Sequence, residues 1–177
     1  MHAHRDMEIV TYVLSGELEH QDSTGHTSII KHGTVQRMSA GTGIRHSERN
    51  HSQTKDLHLL QIWILPKRQG LEPSYEEKTF SASRFKNRLG LICSPVARDG
   101  SLTIHQDSLI YAAQLDQGKN VTLNLALGRY AWIQVAEGSL NANGTAMENG
   151  DGAAVSDESR LEITASAPAE FLLFDLA

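Results

Sequence analysis

The amino-acid sequence predicts an all-β protein of two antiparallel β-barrels, and three observations support this class. Short runs rich in β-branched and aromatic residues recur along the whole chain, separated by glycine-containing turns. No stretch keeps the apolar period of an amphipathic helix, about 3.6 residues, over three turns. The sequence around Gly16 and Gly33 is similar to that around Gly138 and Gly150, which indicates two related domains.

The first domain contains five runs that we expect to form strands, each ending at a glycine, a proline or a polar loop. Asp22-Ser-Thr-Gly25 predicts a hairpin loop, because glycine adopts the positive φ that such a loop needs. Leu57–Leu65 is apolar on both faces, so we expect a central strand that is covered on both sides. The predicted strands are residues 8–14, 17–21, 27–31, 35–39 and 57–65.

Residues 67–87 are polar and lack a period, and we interpret them as a linker with one short helical turn. This predicts an N-terminal domain with its linker at 1–88 and a C-terminal domain at 89–177. Asn143-Gly144 is a strong hairpin signal in the second domain. The strands predicted there are residues 89–92, 102–104, 109–115, 121–126, 131–135, 140–142, 145–147, 161–164 and 171–174.

Composition excludes several classes of function. The net charge is −5 and there is no basic run, so we expect no direct binding of nucleic acid. No apolar stretch approaches about 18 residues and no signal-peptide pattern opens the chain, so we expect no membrane association and no secretion. The lone Cys93, interpreted as a small core residue, forms no intrachain disulfide framework, which fits a cytoplasmic protein.

Histidines are concentrated at the start of the chain, since eight of the nine lie within residues 1–58. His2 and His4 are two residues apart, as are His46 and Glu48, and side chains two apart on a strand point to the same face. Two such pairs on neighbouring strands of a small barrel can converge on one point inside it. Three imidazoles and a carboxylate supply four ligands and leave positions open on a six-coordinate metal, as an oxygen-activating Fe(II) requires.

With these motifs the chain resembles the pirin family of the cupin superfamily. The resemblance covers essentially the whole chain. It rests on His2-Ala-His4-Arg-Asp-Met-Glu8, Leu18-Glu-His20-Gln-Asp22-Ser, Gly41-Thr-Gly-Ile-Arg-His46-Ser-Glu48, Leu57-His-Leu-Leu-Gln-Ile-Trp63, His105-Gln-Asp107 and Gly150-Asp-Gly-Ala-Ala-Val-Ser-Asp157.

The resemblance implies a bicupin of two jelly-roll β-barrels, with a metal in the N-terminal barrel. The implied ligands are His2, His4, His46 and Glu48. Fe(II) is the implied metal, with the other divalent metals Ni, Cu, Co, Mn and Zn as alternatives, because imidazole alone does not select one metal.

Two functions are implied by the resemblance. Bacterial members that look like this chain are often quercetin 2,3-dioxygenases, which open a flavonol ring with O₂. Glu48 would then accept the proton of the flavonol 3-hydroxyl as general base. The alternative is a non-enzymatic, iron-dependent redox sensor that binds a protein partner as a transcription cofactor.

The repeat predicts that the C-terminal barrel lacks these ligands. The positions equivalent to His2, His4, Glu8, His46 and Glu48 hold other residue types. They are Asn124, Ala126, Tyr130, Ile163 and Ala165.

Two acidic residues near the first motif share strand parity with His2 and His4. We expect Glu8 to hydrogen-bond a ligand imidazole, with direct metal contact as the alternative. For Asp6 we expect a β-bulge or a pairing with Arg5 or Arg45, because an unpaired buried carboxylate is costly. Surface or strand-face positions are expected for the remaining histidines, which are His20, His26, His32, His51, His58 and His105.

Pirin-like chains normally carry a further segment before the first histidine motif, whereas here Met1 directly precedes His2. We expect the N-terminal barrel to be incomplete. Metal affinity should then be weaker, because a terminal strand frays unless it is tied down. An uncovered sheet edge should also favour association with another chain, which light scattering tests.

Overall fold

The structure is a computed structural model that describes residues 1–177. It contains eighteen strands and two 3₁₀ segments of three residues each, which confirms the all-β class. Neither segment is long enough to cross a membrane as a helix. The strands are β1 (His2–His4), β2 (Glu8–Ser15), β3 (Glu17–Asp22), β4 (Thr27–Lys31), β5 (Thr34–Ser39), β6 (Ile44–Asn50), β7 (His58–Ile64), β8 (Ser74–Thr79), β9 (Gly90–Ser94), β10 (Leu102–Thr103), β11 (Ser108–Leu115), β12 (Asn120–Asn124), β13 (Tyr130–Glu137), β14 (Ser139–Ala142), β15 (Thr145–Glu148), β16 (Gly152–Val155), β17 (Arg160–Ala165) and β18 (Ala169–Leu176).

The chain forms two compact units. The first unit comprises Met1–Phe80, Pro95–Ala97 and Leu102–Gln106. The second comprises Ser81–Ser94, Arg98–Ser101 and Asp107–Ala177.

Two antiparallel four-stranded sheets form the first unit. One sheet, here called the site sheet, has the order β1-β6-β3-β4, and the opposing sheet has the order β7-β2-β5-β8. Their inner faces pack against each other: Ile9 and Met38 of the opposing sheet contact Ile44 of the site sheet. The apolar core therefore lies between the sheets, as in a β-sandwich.

The second unit repeats this plan. Strands β12-β17-β14-β15 form one sheet, and β9-β11-β18-β13-β16 follow one another in the other. Ile133 and Phe171 from one sheet pack with Leu140 and Ile163 from the other in a single apolar core.

The predicted internal repeat is visible in the backbone. Gly16 precedes β3 with a φ of 80°, and Gly138 precedes β14 with a φ of 77°. A side chain at either glycine would collide with a passing backbone, because an added Cβ would lie 2.4 Å from the Asp56 carbonyl oxygen or 1.9 Å from that of Pro168. Glycine is required at both positions for conformation and for space.

Two predictions about the first domain were wrong. Residues 67–87 are not all linker, because β8 pairs with β5 over six residues, although one helical turn is present at Ala82–Arg84. β7 is not a central strand: it lies at the edge of its sheet with β2 as its only neighbour, and Trp63 is 56% exposed. Apolar composition on both faces did not distinguish an edge strand from a central one.

Asp6 interrupts the strand that begins at His2. Its φ is 48°, so the backbone leaves the extended conformation between β1 and β2. Its carboxylate lies 3.7 Å from Arg5 Nε, which is one of the predicted pairings, and it accepts a hydrogen bond of 2.7 Å from the Gly70 amide. Because of this break, the alternation of side chains between the two faces in β1 does not continue into β2.

The close approach at Gly138 gives a testable prediction. Gly118→Ala should cost about 1–2 kcal/mol of the free energy of unfolding, because Gly118 has a φ of 76° but open space around it. Gly138→Ala should cost about 1–3 kcal/mol more, since its methyl group meets the Pro168 carbonyl. Urea unfolding of both variants measures the difference, and equal losses would contradict this account.

Candidate metal centre

Three neighbouring strands of the site sheet place polar side chains on one face. In the antiparallel register His2 lies opposite His46, and His46 lies opposite Asp22 on its other side. Glu48 lies opposite His20 in the same way. Strand alternation places His4 on the same face as His2, and Glu48 on the same face as His46.

The predicted set of three histidines comes together in space. The ring centroids of His2 and His46 are 4.4 Å apart, those of His2 and His4 are 4.7 Å apart, and those of His4 and His46 are 4.9 Å apart. One nitrogen from each ring lies within 4.8 Å of the others. Glu48 belongs to an overlapping group with His46 and His20, whose ligand atoms meet the same limit.

Several buried atoms of this group have no hydrogen-bond partner. They are His4 Nε2, both ring nitrogens of His46, and Glu48 Oε1. Buried polar atoms are ordinarily hydrogen-bonded, because an unsatisfied one costs about 1–3 kcal/mol. Nitrogen and carboxylate lone pairs left unsatisfied around one point fit a divalent cation, so the donor set is compatible with the implied metal.

Glu48 is also held by the opposing sheet, through its other oxygen. Gln61 Nε2 donates a hydrogen bond of 2.6 Å to Glu48 Oε2, and Trp63 Nε1 donates one of 3.1 Å to Gln61 Oε1. The Trp63 ring also packs edge-on against His4, with centroids 4.9 Å apart. Neither Gln61 nor Trp63 was predicted as a site residue, although their spacing of two on β7 is the same signal that pairs His2 with His4.

His20 lies on a strand face, as predicted, but its part in the group with His46 and Glu48 was not predicted. It is fully buried, with Nδ1 at 3.6 Å from Glu48 Oε1 and Nε2 at 3.3 Å from Asp22 Oδ2. Gln36 Nε2 lies 3.1 Å from His20 Nδ1. The His20-x-Asp22 spacing could have indicated this, because an acid two residues away shares the same face of the strand.

Glu8 does not contact any of the predicted ligand imidazoles, so that prediction was wrong. Its buried carboxylate accepts hydrogen bonds of 3.0 Å from Ser39 Oγ and 3.2 Å from the His105 amide, and His105 Nδ1 lies 3.2 Å away. The break at Asp6 is the physical reason, since the parity shared by His2 and His4 does not continue into β2.

Four of the other five histidines lie at the surface as predicted, and the fifth, His105, is partly buried beside Glu8. His26, His32, His51 and His58 are exposed on loops or strand ends. Cys93 is fully buried, as expected for a core residue.

The pKa values of two histidines in the group are shifted from the ordinary histidine value. Burial, opposed by Glu48 and reinforced by the neighbouring histidines, lowers the pKa of His46 to about 4. Burial and His2 also lower the pKa of His4. At neutral pH both imidazoles are therefore uncharged, which is the form that binds a metal.

The pKa values of His20 and Glu48 shift in opposite directions, and in each case the neighbouring groups outweigh the effect of burial. Burial alone would lower the pKa of His20, but Glu48 and Asp22 raise it above its ordinary value. Burial alone would raise the pKa of Glu48, yet His20, Gln61 and His46 hold it below the ordinary range. Glu48 is thus ionised at neutral pH.

In the second unit, the positions that the internal repeat equates with His2, His4, Glu8, His46 and Glu48 do not form a polar group. Ile163 and Ala165 pack in its apolar core, and Asn124 and Tyr130 are exposed on β12 and β13. The fifth position, Ala126, is exposed in the loop between these two strands.

Comparison with known families gives two matches along the chain. Residues 1–64 match the pirin family, and residues 91–176 match the quercetinase C-terminal cupin domain. A protein of Escherichia coli K12 named quercetin 2,3-dioxygenase is 48% identical over 175 residues, which cover 99% of this chain and 74% of that protein.

Solved structures resemble the whole chain. The bacterial pirin YhhW of Escherichia coli, in complex with nickel(II), has a TM-score of 0.92 and 46% identity, covering 99% of this chain and 74% of that one. The protein YhaK of Escherichia coli has a TM-score of 0.84 and 29% identity, covering 98% of this chain and 76% of that one. The predicted resemblance is confirmed.

The buried position of His46 gives a second prediction. In the metal-free protein His46 should be half protonated at about pH 4, far below the ordinary histidine value of about 6.5. Glu48→Gln removes the carboxylate that favours the cation, so the protonated fraction at pH 4 should fall. NMR of the histidine side chains measures this fraction.

Glu19→Gln is the matched control, because Glu19 pairs with Arg49 on the outer face of β3. It should leave the His46 titration unchanged. A His46 midpoint near 6.5, or one that does not move in Glu48→Gln, would contradict the electrostatic account.

Proposed function

This chain belongs to the pirin family, and from that membership we propose that it is an iron-dependent dioxygenase that opens a flavonol ring with O₂. A relative named quercetin 2,3-dioxygenase matches it over nearly all its length. One observation carries the proposal: unsatisfied donor atoms of His4, His46 and Glu48 are grouped on one face of the site sheet.

His2, His4, His46 and Glu48 would hold the metal ion. Four protein ligands leave two positions of a six-coordinate ion for substrate and O₂. When bound, the ion supplies Lewis-acid and redox chemistry that no side chain of this site provides. Fe(II) is our choice among the metals that imidazole accepts, and the relative with nickel(II) makes Ni the first competitor.

Glu48 would serve as general base for the flavonol 3-hydroxyl. Its carboxylate is ionised at neutral pH, because the pKa is held below its ordinary range. A carboxylate of low pKa is a weak base, so proton transfer to it requires a substrate hydroxyl that is itself made acidic. A divalent cation held by this site would supply that acidity.

The exposed side of the site would admit a flat aromatic substrate. His2 is exposed and His4 is half-buried, so the group is open on the β1 side. Trp63 stands beside His4 with more than half of its surface exposed. An exposed indole offers an aromatic surface to a flavonol ring, and aromatic pairs contribute about 0.5–1.5 kcal/mol beyond their buried area.

Aerobic turnover of quercetin by the iron-loaded protein tests the function. We expect the visible absorption of quercetin to disappear with consumption of O₂. His46→Ala should reduce the rate by more than about 100-fold, because loss of a ligand exceeds the effect of losing an outer partner. His58→Ala, which changes an exposed histidine at the start of β7, should retain the wild-type rate.

Elemental analysis of the same samples separates the outcomes. Iron bound to the wild type without turnover above that of His46→Ala would overturn the dioxygenase and leave a binding function. No metal bound after incubation with Fe(II) or Ni(II) would overturn the site itself.

A further inference from the structure

We propose that Gln61 is a positioning residue that makes Glu48 offer a single carboxylate oxygen to the metal, so that two coordination positions stay open. This inference rests on the proposed function, because it assigns Gln61 a task at the same site.

The two oxygens of Glu48 have different surroundings. Oε2 accepts the hydrogen bond of 2.6 Å from Gln61 Nε2, whereas Oε1 is buried without a hydrogen-bond partner. Oε1 lies 3.6 Å from His20 Nδ1 and 3.9 Å from His46 Nδ1, on the side of the imidazoles. A carboxylate with one oxygen engaged in this way has one oxygen left for a cation.

Trp63 fixes the direction of the Gln61 amide. The indole Nε1–H donates to Gln61 Oε1 at 3.1 Å, so the amide oxygen must face Trp63 and the NH₂ group must face Glu48. The reversed amide would put two donors together at Trp63 and two acceptors together at Glu48. Only one orientation therefore satisfies both neighbours.

The hydrogen bond from Gln61 to Glu48 would affect how many positions of the metal remain open. Three imidazoles and a single carboxylate oxygen occupy four positions of a six-coordinate ion and leave two. If Glu48 bound through both oxygens, one position would remain, and substrate and O₂ could not both reach the metal. Gln61 itself is exposed on an edge strand, where its hydrogen bonds contribute little to the fold.

Cobalt(II)-loaded protein with azide as the probe tests the assignment. Azide occupies an open position, and the visible absorption of Co(II) responds to its coordination number. Gln61→Leu removes the donor while keeping a similar volume. We expect it to retain stoichiometric Co(II) but to bind azide at least about tenfold more weakly, the weight of one hydrogen bond to a charged group.

Two further variants make the test specific. Trp63→Phe keeps a ring beside His4 but removes the indole donor, so its azide affinity should lie between those of the wild type and Gln61→Leu. Gln21→Leu changes an exposed glutamine on β3 and should bind azide as the wild type does.

Each result decides one question. Wild-type azide affinity in Gln61→Leu and Trp63→Phe, with Co(II) bound, would overturn the role of Gln61 and leave the proposed function standing. Loss of Co(II) from Gln61→Leu alone would also overturn it, because Gln61 would then govern metal retention. Failure of the wild type to bind Co(II) would overturn the proposed metal site and this inference together.

Discussion

The antiparallel register of β1, β6 and β3 is the constraint on which the candidate site depends. It sets His2 opposite His46 and Glu48 opposite His20, so residues far apart in sequence share one face of the sheet. A shift of one residue in this register would turn every one of these side chains to the other face. The apolar contact of Ile44 with Ile9 and Met38 opposes such a shift, because it would expose Ile44 to solvent.

The first unit contains two separate sets of buried polar groups, which differ in their hydrogen-bond partners. Glu8 is bonded to Ser39 and His105 and has no contact with the histidines of the site sheet. Around Glu48, in contrast, one oxygen and several nitrogens lack partners. Glu8 Oε1 also lacks a partner, so the first set is one atom short, whereas the second lacks partners at several atoms that a bound cation would satisfy together.

Sequence reasoning predicted the fold class, the internal repeat and the grouping of His2, His4 and His46, because all three follow from alternation and glycine spacing. It failed where alternation was broken or composition was ambiguous. Because Asp6 has a positive φ, Glu8 does not point to the same face as His2 and His4, and no residue type in the sequence signals this break. β8 is too polar to resemble a strand, and it forms because β5 offers an edge to pair with.

His20, Gln61 and Trp63 were missed for a different reason. Each lies in a strand that was predicted, but its neighbours across the sheet cannot be derived from one sequence. His20 meets Glu48 only through the register of β3 with β6, and Gln61 meets it from the opposing sheet. Local pattern indicates which face a residue occupies, whereas convergence of two sheets determines which residues meet.

The placement of two histidines on β1 has a thermodynamic consequence. This strand has three residues and a single neighbour, so its own pairing contributes little stability. An ion held jointly by His2, His4, His46 and Glu48 would act as a crosslink that ties the start of the chain to β6. Because the unfolded chain does not assemble such a set, the folded state would gain about 4 kcal/mol when free metal exceeds the dissociation constant a thousandfold. The availability of the ion would then set the stability of the fold as well as the occupancy of the site.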